Sequence, residues 1–301
     1  MIKTEVNEIM SDFVILTDSC ADLTLELYQE LGIQPLPLSF QFKGDSAIYF
    51  NHADNRDMQP KAFYDLLRQG KMASTSAVNV AAFSEAIEEV FRQEKDVLVL
   101  DFSGALSTTC NSARIAAEEL MESYPQRRAC VVDTCCASVG QGLLVWLAVQ
   151  EQRKGKSLEE VRDWAEANKL HICHEVTVAE LDTLKRGGRI SATTAVVGTM
   201  LNIKPVIFID DEGKLVSVAK ARGRSAAMKA IVDRMAERLA DPSLPVFISH
   251  GDCLEDAQTV GQMVTERFGI TDIRYSYVGP VIGSHTGPGV IALCYMGKQR
   301  A

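Results

Sequence analysis

The sequence predicts an α/β protein of two lobes, the first built on a parallel sheet and the second on a mixed sheet. Short apolar runs rich in β-branched residues alternate with helical patterns through the first 170 residues, as in repeated strand–loop–helix units. After residue 170 a hairpin pattern interrupts this alternation. The chain has 301 residues, of which 47% are hydrophobic and 24% charged, enough for one large or two medium domains with a sizeable core.

The first lobe spans residues 1–170. The continuous apolar run Asp96–Asp101 is typical of a buried parallel strand, and Ser157 opens a capping-box pattern that starts a helix. Pro35 and Pro37 exclude a helix from residues 33–42, which we expect to be extended, and residues 43–60 read as irregular. The other predicted strands are 13–17 and 129–133, and the predicted helices are 23–31, 60–69, 80–93, 107–122, 140–151 and 157–168.

The second lobe spans residues 171–301. Asp211-Glu212-Gly213 is a good hairpin turn between apolar strands at 204–210 and 214–219. Residues 225–239 have the periodicity of an amphipathic helix. The remaining predicted strands are 172–178, 245–250, 273–278 and 289–296, and the remaining predicted helices are 179–186, 192–201 and 255–268.

Composition narrows the classes of function. The net charge of −9, without a basic stripe, argues against nucleic-acid binding, and the apolar runs are too short for membrane insertion. The start of the chain lacks the apolar stretch of a signal peptide, so we expect a cytoplasmic protein. The eight cysteines are scattered and are expected to be reduced. His171 and His174 would face opposite sides of a strand, and no second cluster supplies further ligands, so no metal site is expected. No cofactor is expected either.

Two segments of the first lobe concentrate hydroxyl groups. Ser74-Thr75-Ser76 precedes a predicted helix, so its side chains could either cap that helix or contact a ligand. The segment 101–109 follows a buried strand, and parallel sheets bind ligands at the carboxyl ends of their strands. The helix after it would also offer free N–H groups to an anion.

Two segments of the second lobe carry basic or titratable side chains. Residues 185–191 contain Arg186 and Arg189 among glycines, which fits either a solvated basic turn or a ligand contact. Residues 279–289 predict a loop of glycines and prolines that could point His285 into a cleft or leave it bonded to a neighbouring carbonyl.

Together these four segments indicate a site for one small anionic group, with a carboxylate favoured. Neutral hydroxyl donors and a histidine suit a carboxylate, whereas the GxxxxGK[ST] motif that cradles phosphates is absent. The GxSxG elbow of α/β-hydrolases is absent too. A catalytic pair of Ser103 with His285 remains open at this point.

A series of short motifs in order makes the chain similar to a known family. They are Thr17-Asp18-Ser19, Ser74-Thr75-Ser76, the segment 103–109, Leu184 to Ile190, Leu201 to Pro205, Arg222-Gly223-Arg224 and Gly279 to His285. The chain resembles the DegV family, fatty-acid-binding proteins that include the acyl-carrier subunits of bacterial fatty acid kinase. The resemblance covers nearly the whole length.

The resemblance implies a DegV-like fold with a fatty acid between the lobes 1–170 and 171–301. It implies that the ligand carboxylate meets hydroxyls and an imidazole, from Thr75, Ser76, Ser103 or Ser107, and His285. It also implies that Arg189 and Arg222 contact the kinase partner. The chain departs from the family at Gly104, where serine is usual, at Thr108, where glycine is usual, and at 77–78.

We therefore expect a protein that binds a long-chain fatty acid, such as palmitate or oleate, and presents it to a kinase. It would have no catalytic residues of its own. Small and apolar residues in 192–201, among them Ala192, Ala195 and Gly198, could line the slot or only pack the core. The alternatives are a hydrolase or acyl transferase using Ser103 or Ser107 with His285, and a lipid-sensing regulator whose partner is not a kinase.

Overall fold

The computed structural model describes residues 12–190 and 202–300, which contain three β-sheets and their connecting helices. The strands are β1 (Phe13–Thr17), β2 (Ser39–Phe42), β3 (Tyr49–Phe50), β4 (Ala73–Ser76), β5 (Asp96–Asp101), β6 (Ala129–Asp133), β7 (Ile172–Thr177), β8 (Ile203–Ile209), β9 (Leu215–Arg222), β10 (Val246–His250), β11 (Ile273–Tyr277) and β12 (Ile291–Met296). The α-helices are α1 (Leu25–Leu31), α2 (Pro60–Arg68), α3 (Val80–Arg92), α4 (Thr109–Ser123), α5 (Val139–Arg153), α6 (Leu158–Asn168), α7 (Asp182–Arg186), α8 (Arg224–Arg238), α9 (Leu254–Phe268) and α10 (Pro280–Thr286).

A parallel sheet in the order β1-β5-β6 is formed by strands between residues 13 and 133. The middle strand β5 is completely buried from Val97 to Leu100, which explains its unbroken apolar sequence. Helix α5 contacts β5 on one side and β7, β10 and β12 on the other. A helix placed between two sheets has apolar residues all around it, and α5 is buried along most of its length.

A six-stranded mixed sheet in the order β11-β10-β12-β7-β8-β9 is formed by strands between residues 172 and 296. Only β10 and β11 are parallel, and every other neighbouring pair is antiparallel. Strands β8 and β9 form the predicted hairpin, whose turn needs Gly213 at φ +78°. The predicted combination of a parallel and a mixed sheet is confirmed.

A third, antiparallel sheet in the order β3-β2-β4 was not predicted. It closes over an aromatic cluster in which Phe40 and Phe63 lie edge to face at 5.4 Å. The segment 43–60, which the sequence predicts to be irregular, contains the short strand β3. The polar sequence of β4, Ala73–Ser76, hides its strand character because only alternate residues face the protein.

The structure excludes one of the two alternatives for the segment 74–76, and it shows that the loop prediction for the segment 279–289 is wrong over residues 280–286. Ser74, Thr75 and Ser76 do not cap α3, because Asn79 does so by accepting a hydrogen bond from the Ala82 N–H at 2.9 Å. The predicted loop that carries His285 is the helix α10, which begins with Pro280 at its first position and ends at Gly287 with φ +75°. Proline at the first position of a helix and glycine just after its end are both favourable. The same residues therefore fit a short helix as well as a loop.

The capping box at Ser157 is confirmed at the start of α6. The apolar helix predicted at 192–201 lies outside the described residues. The predicted helix 179–186 is shorter in the structure, where α7 begins at Asp182.

Arg300 fills the interior where the end of the chain returns to both large sheets. Its side chain is 1% exposed. The guanidinium donates to the carbonyls of Lys169 (2.7 Å), Cys135 (2.7 Å), Ile172 (2.9 Å) and Asp210 (3.1 Å), and to the Cys136 Sγ (2.9 Å). Five N–H groups thus have five neutral acceptors, which compensates the buried charge.

Asp22 links three parts of the fold through one buried carboxyl group. Its Oδ1 accepts from the Gly279 N–H at 3.0 Å, and its Oδ2 accepts from the Ser138 hydroxyl at 2.6 Å. Ser138 also bonds to the Ser249 hydroxyl at 2.8 Å. Burial raises the pKa of Asp22 to about 8, although the hydrogen bonds from Ser138 and from the Gly279 N–H act in the opposite direction.

We expect Arg300→Met to lower the free energy of unfolding by about 3 kcal/mol, because it leaves several buried acceptors unpaired. Urea unfolding followed by circular dichroism measures this. The matched control is Arg56→Met, whose exposed pair with Asp54 should contribute less than about 1 kcal/mol. Equal losses in the two variants would contradict the role assigned to Arg300.

Asp22 should make stability depend on pH. Because its folded-state pKa is raised, its contribution is fully present below the unfolded pKa near 4 and is lost as the pH rises through about 8. Asp22→Asn keeps an acceptor for Gly279 and a donor for Ser138 without titrating. We expect the variant to gain on the wild type by up to about 1.4 kcal/mol per pH unit within this window.

Urea unfolding at several pH values between 4 and 8 checks this expectation. Asp211→Asn, at an exposed hairpin position, serves as the control and should parallel the wild type. If Asp22→Asn also parallels the wild type throughout, Asp22 does not hold its proton in the folded state.

Candidate functional site

A cavity of about 470 Å³ lies where the three sheets and α10 meet. This volume is within the range of small-molecule sites. Its wall is mainly aliphatic and is formed by the six-stranded sheet, α7, α10 and the segments that follow β5 and β6. Examples of its apolar residues are Val176, Leu184, Ile209, Leu215, Val281 and Ala292. The cavity can therefore take a ligand that is apolar over most of its surface.

Thr75 and His285 form the centre of the polar part of the wall. The Thr75 Oγ1 and the His285 Nε2 are 2.8 Å apart, a hydrogen bond between β4 and α10. Burial lowers the pKa of His285 to about 4, with a smaller contribution from the positive charge of Arg189. The imidazole is therefore neutral near pH 7.

The pleat of β4 separates Thr75 from its neighbour. Thr75 faces the cavity, whereas Ser76 points to the other side of the strand and is exposed. Although the resemblance implied both hydroxyls, the structure brings only Thr75 to the wall.

On the opposite side of the imidazole, a Cβ at Gly187 would clash with the His285 Nδ1, so a glycine is needed there.

Arg189 is the only lysine, arginine or carboxylate in the cavity wall, counted over residues 12–190 and 202–300. Its Nε donates to the Leu106 carbonyl at 3.3 Å, and its Nη1 donates to the Gly187 carbonyl. These two bonds hold the guanidinium beside His285. The structure thus places Arg189 where it can contact a ligand, whereas the resemblance implied a contact with a partner.

The two serines of the segment 103–109 have different surroundings. Ser103 is fully buried and outside the cavity wall, and its hydroxyl donates to the Gly213 carbonyl at 2.9 Å. Ser107 lies in the wall, with its Oγ 2.9 Å from the Thr109 Oγ1. Of the two serines, only Ser107 is therefore placed to approach a ligand.

Gly104 has a packing reason for being glycine in this chain. A Cβ at this position would lie 2.5 Å from the Asp133 Oδ2. Its N–H donates to the same carboxylate at 3.1 Å. A serine here would displace the Asp133 carboxylate from its present position.

Arg222 is separate from the cavity. It is the last residue of the edge strand β9, is exposed, and is absent from the cavity wall. The resemblance gives both arginines the same role, but in the structure Arg189 lines the cavity and Arg222 does not.

Sequence reasoning missed His174 and Ser138, which both lie in the wall. His174 is buried with its pKa well below the usual range, because burial disfavours the charged form. Its Nδ1 donates to the Ile172 carbonyl at 3.1 Å, and its Nε2 accepts from the Ala137 N–H at 3.3 Å. Strand alternation could have indicated that His174 shares a face with Val176.

The described residues show no group of three or more side chains that could hold a metal ion. No helix in residues 12–190 and 202–300 is long and apolar enough to cross a membrane. All eight cysteines are free thiols. His171 lies in a short 3₁₀-helix before β7, where its Nδ1 is 3.2 Å from the Gly297 carbonyl.

Comparisons with known proteins agree with this architecture. A family model described as "Uncharacterised protein, DegV family" matches residues 12–298. A DegV domain-containing protein of Clostridium perfringens is 46% identical over 292 residues, covering 97% of this chain and 99% of that protein.

Solved structures are similar over almost the whole chain. A fatty-acid-binding DegV family protein from Thermus thermophilus has a TM-score of 0.82 and 30% identity, covering 94% of this chain and 99% of its own. A DegV lipid-binding protein from Thermotoga maritima has a TM-score of 0.84 and 26% identity, covering 95% and 99%. With a family match over residues 12–298 and a relative at 46% identity, this chain belongs to the DegV family.

Proposed function

We propose that this protein binds a long-chain fatty acid in the cavity, with the carboxylate at Thr75, Arg189 and His285. The observation that carries the proposal is a 470 Å³ cavity with a mainly aliphatic wall, in which Arg189, beside the Thr75–His285 pair, is the one charged side chain among the described lining residues. Fatty-acid binding by the Thermus thermophilus relative, at 30% identity, supports the same ligand class. We propose that the lobes 1–170 and 171–301 enclose the acyl chain between them.

The hydrogen bonding around Thr75 explains how a charged head group could be held. When the neutral His285 donates its Nε2–H to the Thr75 Oγ1, the Thr75 hydroxyl proton is free to point at a carboxylate oxygen. Arg189 supplies the compensating positive charge, which a buried carboxylate needs. Ser107 is a further hydroxyl donor in the wall.

The apolar wall would provide most of the affinity. Each buried methylene contributes about 0.8 kcal/mol, so a chain of about 14–16 carbons gains roughly 11–13 kcal/mol gross. Loss of translational and conformational freedom removes several kcal/mol of this gain. The remainder is consistent with tight and reversible binding, as a carrier requires.

The contacts favour a carrier over a Ser–His enzyme. In the described structure the His285 Nε2 bonds to Thr75, while Ser103 bonds to Gly213 and Ser107 to Thr109. Neither serine is hydrogen-bonded to the imidazole, as a nucleophile activated by a base would be. We therefore propose that this chain carries no catalytic residues of its own.

We further propose that a cytoplasmic kinase acts on the bound fatty acid. A carboxylate oxygen would attack the γ-phosphorus of a nucleoside triphosphate held by that kinase. A new P–O bond would form the acyl phosphate as the bond to the departing nucleoside diphosphate breaks. The exposed Arg222 would contact the kinase, whereas Arg189 would hold the carboxylate.

Thr75→Val should weaken fatty-acid binding because it removes the hydroxyl while keeping the shape. A hydrogen bond to a charged group contributes about 1.5–3 kcal/mol, so we expect a loss of affinity of roughly 10- to 150-fold. Displacement of a fluorescent fatty acid gives the affinity, and native mass spectrometry of the purified protein gives the lipid content.

The adjacent Ser76→Ala variant is the control, because the Ser76 hydroxyl faces away from the cavity and should leave affinity unchanged. A loss in Ser76→Ala equal to that in Thr75→Val would contradict the head-group geometry. Absence of co-purified fatty acid, together with no binding of added palmitate or oleate, would contradict the proposed function itself.

Ala292→Leu should shift selectivity to shorter chains. Ala292 lies in the apolar wall and is 5% exposed, so an added isopropyl group must occupy cavity volume. In a close-packed site we expect the preferred acyl chain to shorten by about two to three carbons. Mass spectrometry of bound lipids measures the profile, with the exposed Ala62→Leu as the control. An unchanged profile in Ala292→Leu would mean that the chain does not run along β12.

A further inference from the structure

A second cleft lies on the other side of the Thr75–His285 pair. This outer cleft has a volume of about 610 Å³ and is formed by β2, β4, α7 and the end of α10. Thr75, Arg189 and His285 line both the inner cavity and the outer cleft. These three side chains thus form a thin wall between an apolar space and a polar one.

The outer cleft concentrates positive charge on an acidic protein. Lys43, Lys71, Arg186 and Arg189 line it, and Asp45 is the only carboxylate among its described lining residues. The whole chain carries a net charge of −9, so this concentration is not a consequence of overall composition. Such a grouping attracts anions and raises their local concentration.

The cations of the outer cleft are not neutralised by neighbouring acids. Within the described part of the chain, Lys43 and Lys71 form no ion pair, while nearby surface lysines such as Lys61 do. Arg186 donates to the Thr183 Oγ1 at 3.3 Å and makes no ion pair with a described carboxylate. The Asp45 Oδ1 accepts from the Ala47 N–H at 3.0 Å, so it is already engaged locally.

The number of cations favours a multiply charged ligand over a second carboxylate. One carboxylate is matched by one arginine, whereas phosphoryl groups carry two or more charges and several acceptor oxygens. Lysines serve as point charges for phosphate, and arginine provides a planar fork that suits it. Four cations around one cleft therefore match the phosphate class best.

We propose that the outer cleft is a binding subsite for a phosphoryl oxyanion, held by Lys43, Lys71 and Arg186 and sharing Arg189 with the fatty-acid carboxylate. The biological meaning rests on the proposed function, in which a phosphoryl group arrives at this carboxylate. Because both anions use Arg189, each weakens the binding of the other when they are separate molecules, by the same factor. A phosphoryl group joined to the carboxylate would occupy both spaces at once.

Inorganic pyrophosphate is the probe, and isothermal titration calorimetry at low ionic strength measures its binding to lipid-free and oleate-loaded protein. We expect one site per chain, with weaker binding to the loaded form. The triple variant Lys43→Gln, Lys71→Gln, Arg186→Gln should lower the affinity at least tenfold. Lys298→Gln, which removes one exposed positive charge outside the cleft, is the control for a general charge effect and should stay within twofold of the wild type.

Lipid content in the same samples separates this proposal from the proposed function. None of the three substituted residues lines the inner cavity, so the triple variant should retain fatty acid as the wild type does. Pyrophosphate that fails to bind, or that binds the triple variant equally well, would overturn the subsite. Binding to phosphatidylglycerol vesicles without binding to pyrophosphate would also overturn it, in favour of a lipid head group as the anion.

Discussion

The hydrogen bond between Thr75 and His285 is the contact on which the arrangement of the site depends. It joins residues 210 positions apart in the chain, one on a strand of the small sheet and one on α10. On one side of it lies the apolar cavity and on the other the basic outer cleft. Burial and the positive charge of Arg189 keep the imidazole neutral. The Thr75–His285 pair can therefore orient an anion by hydrogen bonding, without adding a second positive charge beside Arg189. Arg189 alone then supplies charge at this wall.

Buried carboxyl groups, rather than ion pairs, hold the loops beneath this site. Asp18 accepts from the N–H groups of Cys20 (2.7 Å) and Phe102 (2.8 Å) and from the Gln141 Nε2 (3.0 Å). Burial, reinforced by the neighbouring Asp18, raises the pKa of Asp101 well above its usual range. Since two adjacent buried carboxylates cannot both ionise, a proton on Asp101 allows Asp18 to anchor the start of the segment 102–108. Asp22 acts similarly at the start of α10.

Much of the fold could be predicted from the sequence because its strands and helices have strong local patterns. The apolar run Asp96–Asp101 is the strand β5, and the capping box at Ser157 starts α6, both as predicted. The small sheet could not be predicted, because β4 is four small or polar residues whose strand pairing depends on Phe40 and Phe42 of β2. The helical state of α10 was missed because proline and glycine are as frequent in loops as at helix ends.

For the site, the motifs in the chain already indicate its chemical groups: hydroxyls, one histidine and two arginines in an order similar to that of the DegV family. Which of these groups come together depends on how distant segments pack. The tertiary structure turned Thr75 inward and Ser76 outward, engaged Ser103 with Gly213, and separated Arg189 from Arg222. The physical reason is that side-chain direction follows from strand pairing and from packing between distant segments. Neither is encoded in the local pattern of residues around each motif.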